Sequence, residues 1–263
     1  MRVVETGPED GPLVVLVHGW GCSAYEWRAN LPALAAVGWR AVAVEPRGHG
    51  LSSKPRDASA YAQAAMVRHL LAILDALGAR RVPLVGHSLG GQLALHAALV
   101  APERVSRLVL AAPVGFGHVT LARLGQLVTP DRVVRWLPRL VSRALVRLAL
   151  RMASGPLRRA SSDDVEQYWA PSCDPGYAVA ARHLLHGCRW REHKPELLAR
   201  VRIPTLVVFG TRDRFVNGRE AARLVACMPD ARLEIIRGAG HVIPSESAER
   251  FNALLLDFLG DPA

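Results

Sequence analysis

An α/β fold is predicted for this chain: a doubly wound, mostly parallel sheet with helices on both faces and an inserted helical cap. Three observations predict it. Short apolar, β-branched runs recur along the sequence, stretches of helical periodicity separate most of them, and one long segment without a strand candidate breaks the rhythm. At 263 residues and 50% hydrophobic, the chain can build one large core, and an open α/β domain of this length need not be split.

The elements follow in order. Met1-Arg2-Val3-Val4-Glu5 enters strand-like sequence without a signal-peptide core, and no uninterrupted apolar run reaches the roughly 18 residues of a membrane helix, so a soluble, cytoplasmic protein is expected. Strands are predicted over Leu13 to Val17, Ala41 to Val44, Val82 to Val85, Leu108 to Ala112, Thr205 to Phe209 and Leu233 to Ile236. They are almost continuously apolar rather than alternating, as expected when helices cover both faces of a parallel sheet. Helices are predicted over residues 24–36, 60–77, 89–100, 218–228 and 246–259. From Pro113 to about Pro204 only helical patterns appear, punctuated by Pro130, Pro138, Pro156, Pro171, Pro175 and Pro195. Residues 1–113 and 204–263 are therefore read as the core, and 114–203 as a helical cap inserted between core strands.

The net charge of +10 is unevenly placed, since residues 119–160 hold nine arginines against the single acid Asp131 and so carry +8 of it. A charge confined to one segment gives no reason to expect nucleic-acid binding. Within it Arg135, Arg139, Arg143, Arg147 and Arg151 recur every fourth residue, interleaved with Val141, Leu145, Leu148 and Met152, which on a helix makes a drifting basic face opposite an apolar one. Two readings stand for this stripe: a solvated cap helix, or a face that draws weak association with anionic membranes or anionic substrates, at roughly 1 kcal/mol for each arginine near an anionic surface. Cys22, Cys173, Cys188 and Cys227 lie far apart, with no C-x-x-C pair and no histidine at metal-ligand spacing. Neither a metal nor a disulfide framework is expected, and the thiols are read as free.

Gly86-His87-Ser88-Leu89-Gly90 follows the strand Val82 to Val85 and precedes a helix-forming stretch. The G-x-S-x-G string alone is weak, but a sharp strand-to-helix turn lifts a serine hydroxyl clear of the sheet edge and aims the following backbone N–H groups at the atom it attacks. Such a serine needs a base. Of the ten histidines, His241 is best placed, beyond the strand Leu233 to Ile236 and the turn Arg237-Gly238-Ala239-Gly240. An imidazole, with an ordinary pKa of about 6.5, accepts a proton near neutral pH and returns it to a leaving group. Asp213, just past the strand Thr205 to Phe209, is the matching acid that would fix the imidazole tautomer. The competing readings are a turn residue for Asp213 and a packed core histidine for His241. After Leu13 to Val17, His18-Gly19-Trp20-Gly21 lets the backbone turn towards the serine, so the N–H groups of Trp20 and Leu89 could converge on one oxyanion. His18 is read as a brace for that loop and His87 as packing. In the cap, Trp136, Tyr168, Trp169, Tyr177 and Trp190 are read either as walls of an apolar pocket above Ser88 or as the cap's own core.

At these residues the chain resembles the α/β-hydrolase superfamily, in particular its capped, serine-nucleophile, esterase-like members. The resemblance spans nearly the whole sequence through "VVLVHGWGCSAYEW", "VEPRGHGLSSKP", "VPLVGHSLGGQLAL", "PTLVVFGTRDRFV" and "RGAGHVIPSESAERFNALLLDFL". It implies Ser88, Asp213 and His241 as a catalytic triad, Trp20 and Leu89 as oxyanion-hole donors, and a cap between the sixth and seventh strands. Segments such as "HGWGCSAYEWR" and "EQYWAP" are also similar to capped epoxide hydrolases and haloalkane dehalogenases, but those use an aspartate nucleophile where this chain has Ser88, so both activities are rejected. Glu45 stands where many relatives carry aspartate and is read as structural. The expectation is a cofactor-independent serine hydrolase that cleaves a small-molecule carboxylic ester through an acyl-enzyme, its hydrophobic substrate held under the cap. The same triad would serve a lactonase, a thioesterase, a C–C bond hydrolase or a perhydrolase, and a hydrolase-like small-molecule receptor is the alternative of another class.

Overall fold

The computed structural model describes residues 1–117, 119–130, 141–216, 218 and 221–261, with Thr120, Leu121 and Arg123 described by their backbone alone. Among these residues seven strands make one sheet: β1 (Arg2–Thr6), β2 (Leu13–Val17), β3 (Arg40–Glu45), β4 (Val82–His87), β5 (Val105–Ala111), β6 (Thr205–Gly210) and β7 (Ala231–Ile236). Their order across the sheet is β1-β3-β2-β4-β5-β6-β7, and all neighbours are parallel except β1 with β3. β2 and β4 are buried along nearly their whole length, which explains their unbroken apolar sequences. β1 lies at an edge and keeps Arg2 and Glu5 exposed, so it lacks the apolar run that marks the six predicted strands.

Between β2 and β4 the winding reverses direction, since the chain steps from β2 to β3 on one side and then returns to build β4 to β7 on the other. A sheet of this kind opens a crevice beyond its carboxyl ends at that reversal. Register sets what faces it. Val17 pairs with Gly86, His87 with Ala111, Ala111 with Val208 and Gly210 with Ile236, so the loops after β2, β4, β6 and β7 leave the sheet at one rim.

The helices of the core are α1 (Leu31–Ala36), α2 (Gln63–Ala76) and α3 (Leu89–Val100) before the insertion. Between β5 and β6 come α4 (Thr120–Val128), α5 (Arg143–Ala153), α6 (Ser162–Trp169), α7 (Tyr177–Gly187) and α8 (Pro195–Leu198), with no strand among the described residues. The core closes with α9 (Ala221–Val225), α10 (Ile243–Glu246) and α11 (Ala248–Leu259). The insertion thus follows β5, the strand next in the chain after the one that leads to Ser88.

One predicted helix is broken in two. Residues 24–36 form a 3-10 turn, Ala24–Trp27, whose N–H at Tyr25 is capped by Ser23, and then α1, which restarts at Pro32 because proline is tolerated only in a first turn. Pro244 has the same position in α10, and Ser247 separates that turn from α11. Of the predicted helix 218–228, residues 219 and 220 lie outside the described residues, and α9 covers Ala221–Val225.

The arginine stripe is divided. Arg135 and Arg139 lie outside the described residues, whereas Arg143, Arg147 and Arg151 share α5, capped by Ser142 through the N–H of Leu145. The apolar residues of the stripe are not the ones that pack inward. Leu150 and Ala153 are buried while Leu145, Leu148 and Met152 remain exposed, because the helix docks by the face that carries Leu150. Among the described residues no helix is long and apolar enough to cross a membrane.

Candidate active site

Ser88 sits between β4 and α3 with φ 50° and ψ −115°, a backbone conformation that costs a non-glycine residue about 1–3 kcal/mol and persists only under external constraint. The constraints are visible. Its N–H donates to the Ala111 carbonyl at 2.9 Å, and its own carbonyl accepts from Val114 and Gln92, each at 3.1 Å. Glycine is required where strand and helix cross. A Cβ on Gly90 would collide with the carbonyls of Val17 and His18, and one on Gly86 would lie 2.6 Å from the Gly90 carbonyl oxygen.

The three residues named from the sequence come together at the rim. Ser88 Oγ is 3.0 Å from His241 Nε2, and His241 Nδ1 is 2.8 Å from Asp213 Oδ2. A carboxylate can only accept, so Nδ1 carries the proton and Nε2 presents its lone pair to the serine hydroxyl. Asp213 is held by two further bonds, with Oδ1 accepting from the N–H groups of Phe215 at 2.8 Å and Val216 at 3.0 Å. Burial alone would push the Asp213 pKa up, but His241 and these N–H donors outweigh it and hold the carboxyl below its ordinary 3.8. The backbone of His241 is fixed from the insertion, its N–H donating to the Ala153 carbonyl at 2.7 Å.

The loop after β2 packs directly on this turn. A Cβ on Gly19 would stand 3.2 Å from the Ser88 Cβ, so the backbone of Gly19-Trp20 passes beside the nucleophile candidate. The N–H of Leu89 opens α3 and is among the first-turn donors that a helix cannot satisfy internally. His18 does brace the loop, its Nδ1–H donating to the Gly19 carbonyl at 2.9 Å while its ring packs edge-on against His49. Glu45 is structural, accepting from the N–H groups of Ala24 and Leu51.

Three residues escaped the sequence reading. Glu26, fully buried, accepts from the Gly19 N–H at 3.0 Å, and its other carboxylate oxygen lies 2.6 Å from His87 Nδ1. The other ring nitrogen, His87 Nε2, is 2.9 Å from the His241 carbonyl oxygen. Both nitrogens therefore face acceptors, which suits an imidazolium. His87 turns its two ring nitrogens to the Glu26 carboxylate and the His241 carbonyl, so it is half of a buried ion pair rather than simple packing. Glu246 accepts from the Gly155 N–H at 2.7 Å, and burial pushes its pKa up. Phe215 stacks on the His241 ring, with centroids 5.4 Å apart at 23°. Cys22, near the same loop, is no rival nucleophile: burial and the Glu26 charge push its pKa well above 9.0, leaving a neutral thiol.

The cap aromatics separate into two groups. Trp190 meets Trp20 edge-on, Tyr177 donates from its hydroxyl to the Gly21 carbonyl at 3.4 Å, and Tyr168 packs edge-on against Tyr25, so these three lean on the loop beside Ser88. Trp169 instead lies under the Arg143 guanidinium, 3.6 Å from ring centroid to carbon, inside the insertion's own packing. Trp136 lies outside the described residues.

Comparison with known proteins places this geometry. A family model described as "alpha/beta hydrolase fold" matches residues 12–248. The chain is 32% identical over 268 residues to a putative carbamate hydrolase of Variovorax paradoxus, covering 96% of this chain and 93% of that protein. It is 30% identical over 262 residues to the dihydrolipoyllysine-residue acetyltransferase component of the acetoin cleaving system of Pseudomonas putida, covering 98% of this chain but only 66% of that longer protein. Among solved structures, a meta-cleavage product hydrolase from Pseudomonas fluorescens superposes with a TM-score of 0.82 at 26% identity, over 98% of this chain and 93% of that one.

Proposed function

This chain belongs to the alpha/beta hydrolase fold family, its relatives named as hydrolases support a hydrolase, and on that premise we propose that it cleaves a carboxylic ester through an acyl-enzyme formed on Ser88. The observation that carries the reading is the unbroken relay from Ser88 Oγ through His241 to Asp213, at 3.0 and 2.8 Å. In this mechanism Ser88 Oγ attacks the ester carbonyl as His241 Nε2 takes its proton. The tetrahedral oxyanion is held by the N–H groups of Trp20 and Leu89, each such donor contributing about 3 kcal/mol to the transition state. His241 returns the proton to the departing alkoxide, leaving the acyl group on Ser88. Water, deprotonated by the same imidazole, then attacks the acyl-enzyme, and the proton passes to Oγ as the acid departs. Asp213 fixes the tautomer and balances the imidazolium at both stages. No cofactor enters these steps. Tyr168, Tyr177 and Trp190 supply the apolar side of the substrate site under the cap.

Labelling with a fluorophosphonate tests this directly. Ser88 should take up one equivalent and no other residue should react, while Ser88→Ala should lose label and at least about 1000-fold in kcat without unfolding. Labelling elsewhere, or an unchanged rate, would refute the assignment. A second reading, hydrolysis of a carbon–carbon bond in a meta-cleavage product, is favoured by the likeness to the Pseudomonas fluorescens enzyme. Turnover of a meta-cleavage product faster than of any ester in a matched panel would select it.

A further inference from the structure

Beside the relay lies a cavity of about 850 Å³ whose charged lining is Arg147, Arg151, Arg158, Arg159, Arg212 and Arg214, with no carboxylate among its lining residues. These arginines come from two regions far apart in sequence. Four belong to the insertion, and Arg212 and Arg214 flank Asp213, whose side chain turns inward to His241. Leu148 and Met152 add apolar wall.

Most of this charge is uncompensated. Arg158 is paired with Asp164 at 2.8 Å, and Arg143, outside the cavity, takes Glu166 at 2.5 Å. Among the described residues Arg151, Arg159, Arg212 and Arg214 form no ion pair. Like charges gathered in one concavity repel, so the arrangement favours an anion that neutralises several of them. Guanidinium forks match phosphate and carboxylate oxygens alike, but one carboxylate would leave most of these cations unmet, whereas phosphate carries up to two charges per group.

The cavity also adjoins the chemistry. Ser154 and Gly155 line it, the neighbouring Ala153 carbonyl holds the His241 N–H, and a Cβ on Gly240 would collide with the Gly155 nitrogen. We propose that this arginine groove is a binding subsite for the phosphate-bearing end of the substrate, placed next to the catalytic histidine. The substrate half of this assignment rests on the esterase reading, and the anion-binding half does not.

Ser88→Ala protein, titrated with inorganic pyrophosphate in a calorimeter, reads the anion site without turnover. It should bind, more weakly as salt is raised, and Ser88→Ala/Arg151→Ala/Arg159→Ala should bind at least about tenfold more weakly. Both arginines are exposed, and circular dichroism checks that the variant folds. Absent binding, or equal affinity in the two proteins, overturns the groove as a site for a soluble phosphate. In the Ser88 protein, a matched pair of esters, one neutral and one ending in phosphate, reads the substrate half. Arg151→Ala/Arg159→Ala should cut kcat/KM for the phosphate ester about tenfold more than for the neutral one, and equal losses overturn it. If neither ester turns over, the esterase reading has failed while the pyrophosphate titration still decides the groove. Arginine-dependent binding to phosphatidic acid vesicles without binding to pyrophosphate would make the ligand a lipid headgroup and overturn the soluble-substrate assignment.

Discussion

The sheet and the helical insertion share one hydrophobic cluster but differ in how many polar contacts hold them. Around Ser88 the structure is apolar and close-packed: Val15, Leu16, Val17, Leu84 and Val85 are fully buried, and two glycines admit backbone where a methyl group would not fit. The insertion packs Val119, Ala180, Leu184, Leu185 and Trp190 into the same hydrophobic cluster as the sheet, and adds to it a set of polar contacts with the core. Arg28 and the Tyr25 hydroxyl bond Asp164, Lys54 pairs with Asp174, the Trp20 indole N–H donates to the Ala181 carbonyl, and the Gln92 amide donates to the Arg189 carbonyl. It also leaves Leu124, Leu127, Val128, Leu145 and Leu148 exposed. Close-packed interiors have few alternative arrangements, whereas polar docking can be altered one contact at a time. Under the proposed function, reaction geometry would reside where change is costly, and the surface that meets the substrate where single contacts can be altered.

The largest expected effect breaks the core side of that contrast at a single atom. Asp213→Asn keeps the shape of the side chain but offers an amide donor towards His241 Nδ1, favouring the tautomer that puts a proton on Nε2. Measured kcat should fall about 1,000- to 10,000-fold with KM little changed. A loss below about tenfold would mean that the relay is not the catalytic device.

On the insertion side, Asp164→Ala removes the acceptor shared by Arg28, Arg158, Tyr25 and the Ser161 N–H. Arg28 and Arg158 are partly solvated and regain water, so the cost to stability should be about 1–2 kcal/mol. Because these contacts dock α6 against the core and not the relay, KM should rise more than kcat falls. Steady-state kinetics with a paired melting curve would separate the two, and a fall in kcat alone would erase the contrast between the regions.

What could be read from the sequence divides along the same line. The turn at Ser88, and the strand ends that carry Asp213 and His241, are written in local patterns: an apolar run, a glycine and a chemically apt side chain. Glu26 has no such signature. It sits in a short turn read as ordinary helix, and its partner His87 is distant in sequence, joined to it only because β2 and β4 are neighbours in the sheet. The arginine groove was half visible, as a stripe of period four, but Arg212 and Arg214 join it through tertiary folding alone. Likewise Leu145 and Leu148 read as part of an apolar face, and both are exposed, since periodicity reports amphipathicity without saying which side docks.

The smallest expected effect concerns the charge pair behind Ser88, and it separates burial from pairing inside the core itself. Burial pushes the His87 pKa down, but the Glu26 charge and the His241 carbonyl outweigh it and raise the pKa above 6.5. The native state therefore keeps a proton that the unfolded chain releases above pH 6.5, so this contribution to stability is complete below 6.5 and is lost as pH rises through the folded value. Glu26 is the mirror case: burial would raise its pKa, the neighbouring His87 charge lowers it below 4.5, and its contribution fades as pH falls through that lowered value. Glu26→Gln removes the charge and leaves burial, which favours a neutral His87. Thermal melts between about pH 6 and about pH 8 should find wild type ahead of the variant, with the gap narrowing as pH rises. The narrowing is bounded at about 1.4 kcal/mol per pH unit, the limit for one proton. A gap that does not change with pH would mean that His87 is neutral in both proteins and that Glu26 acts only by accepting the Gly19 N–H.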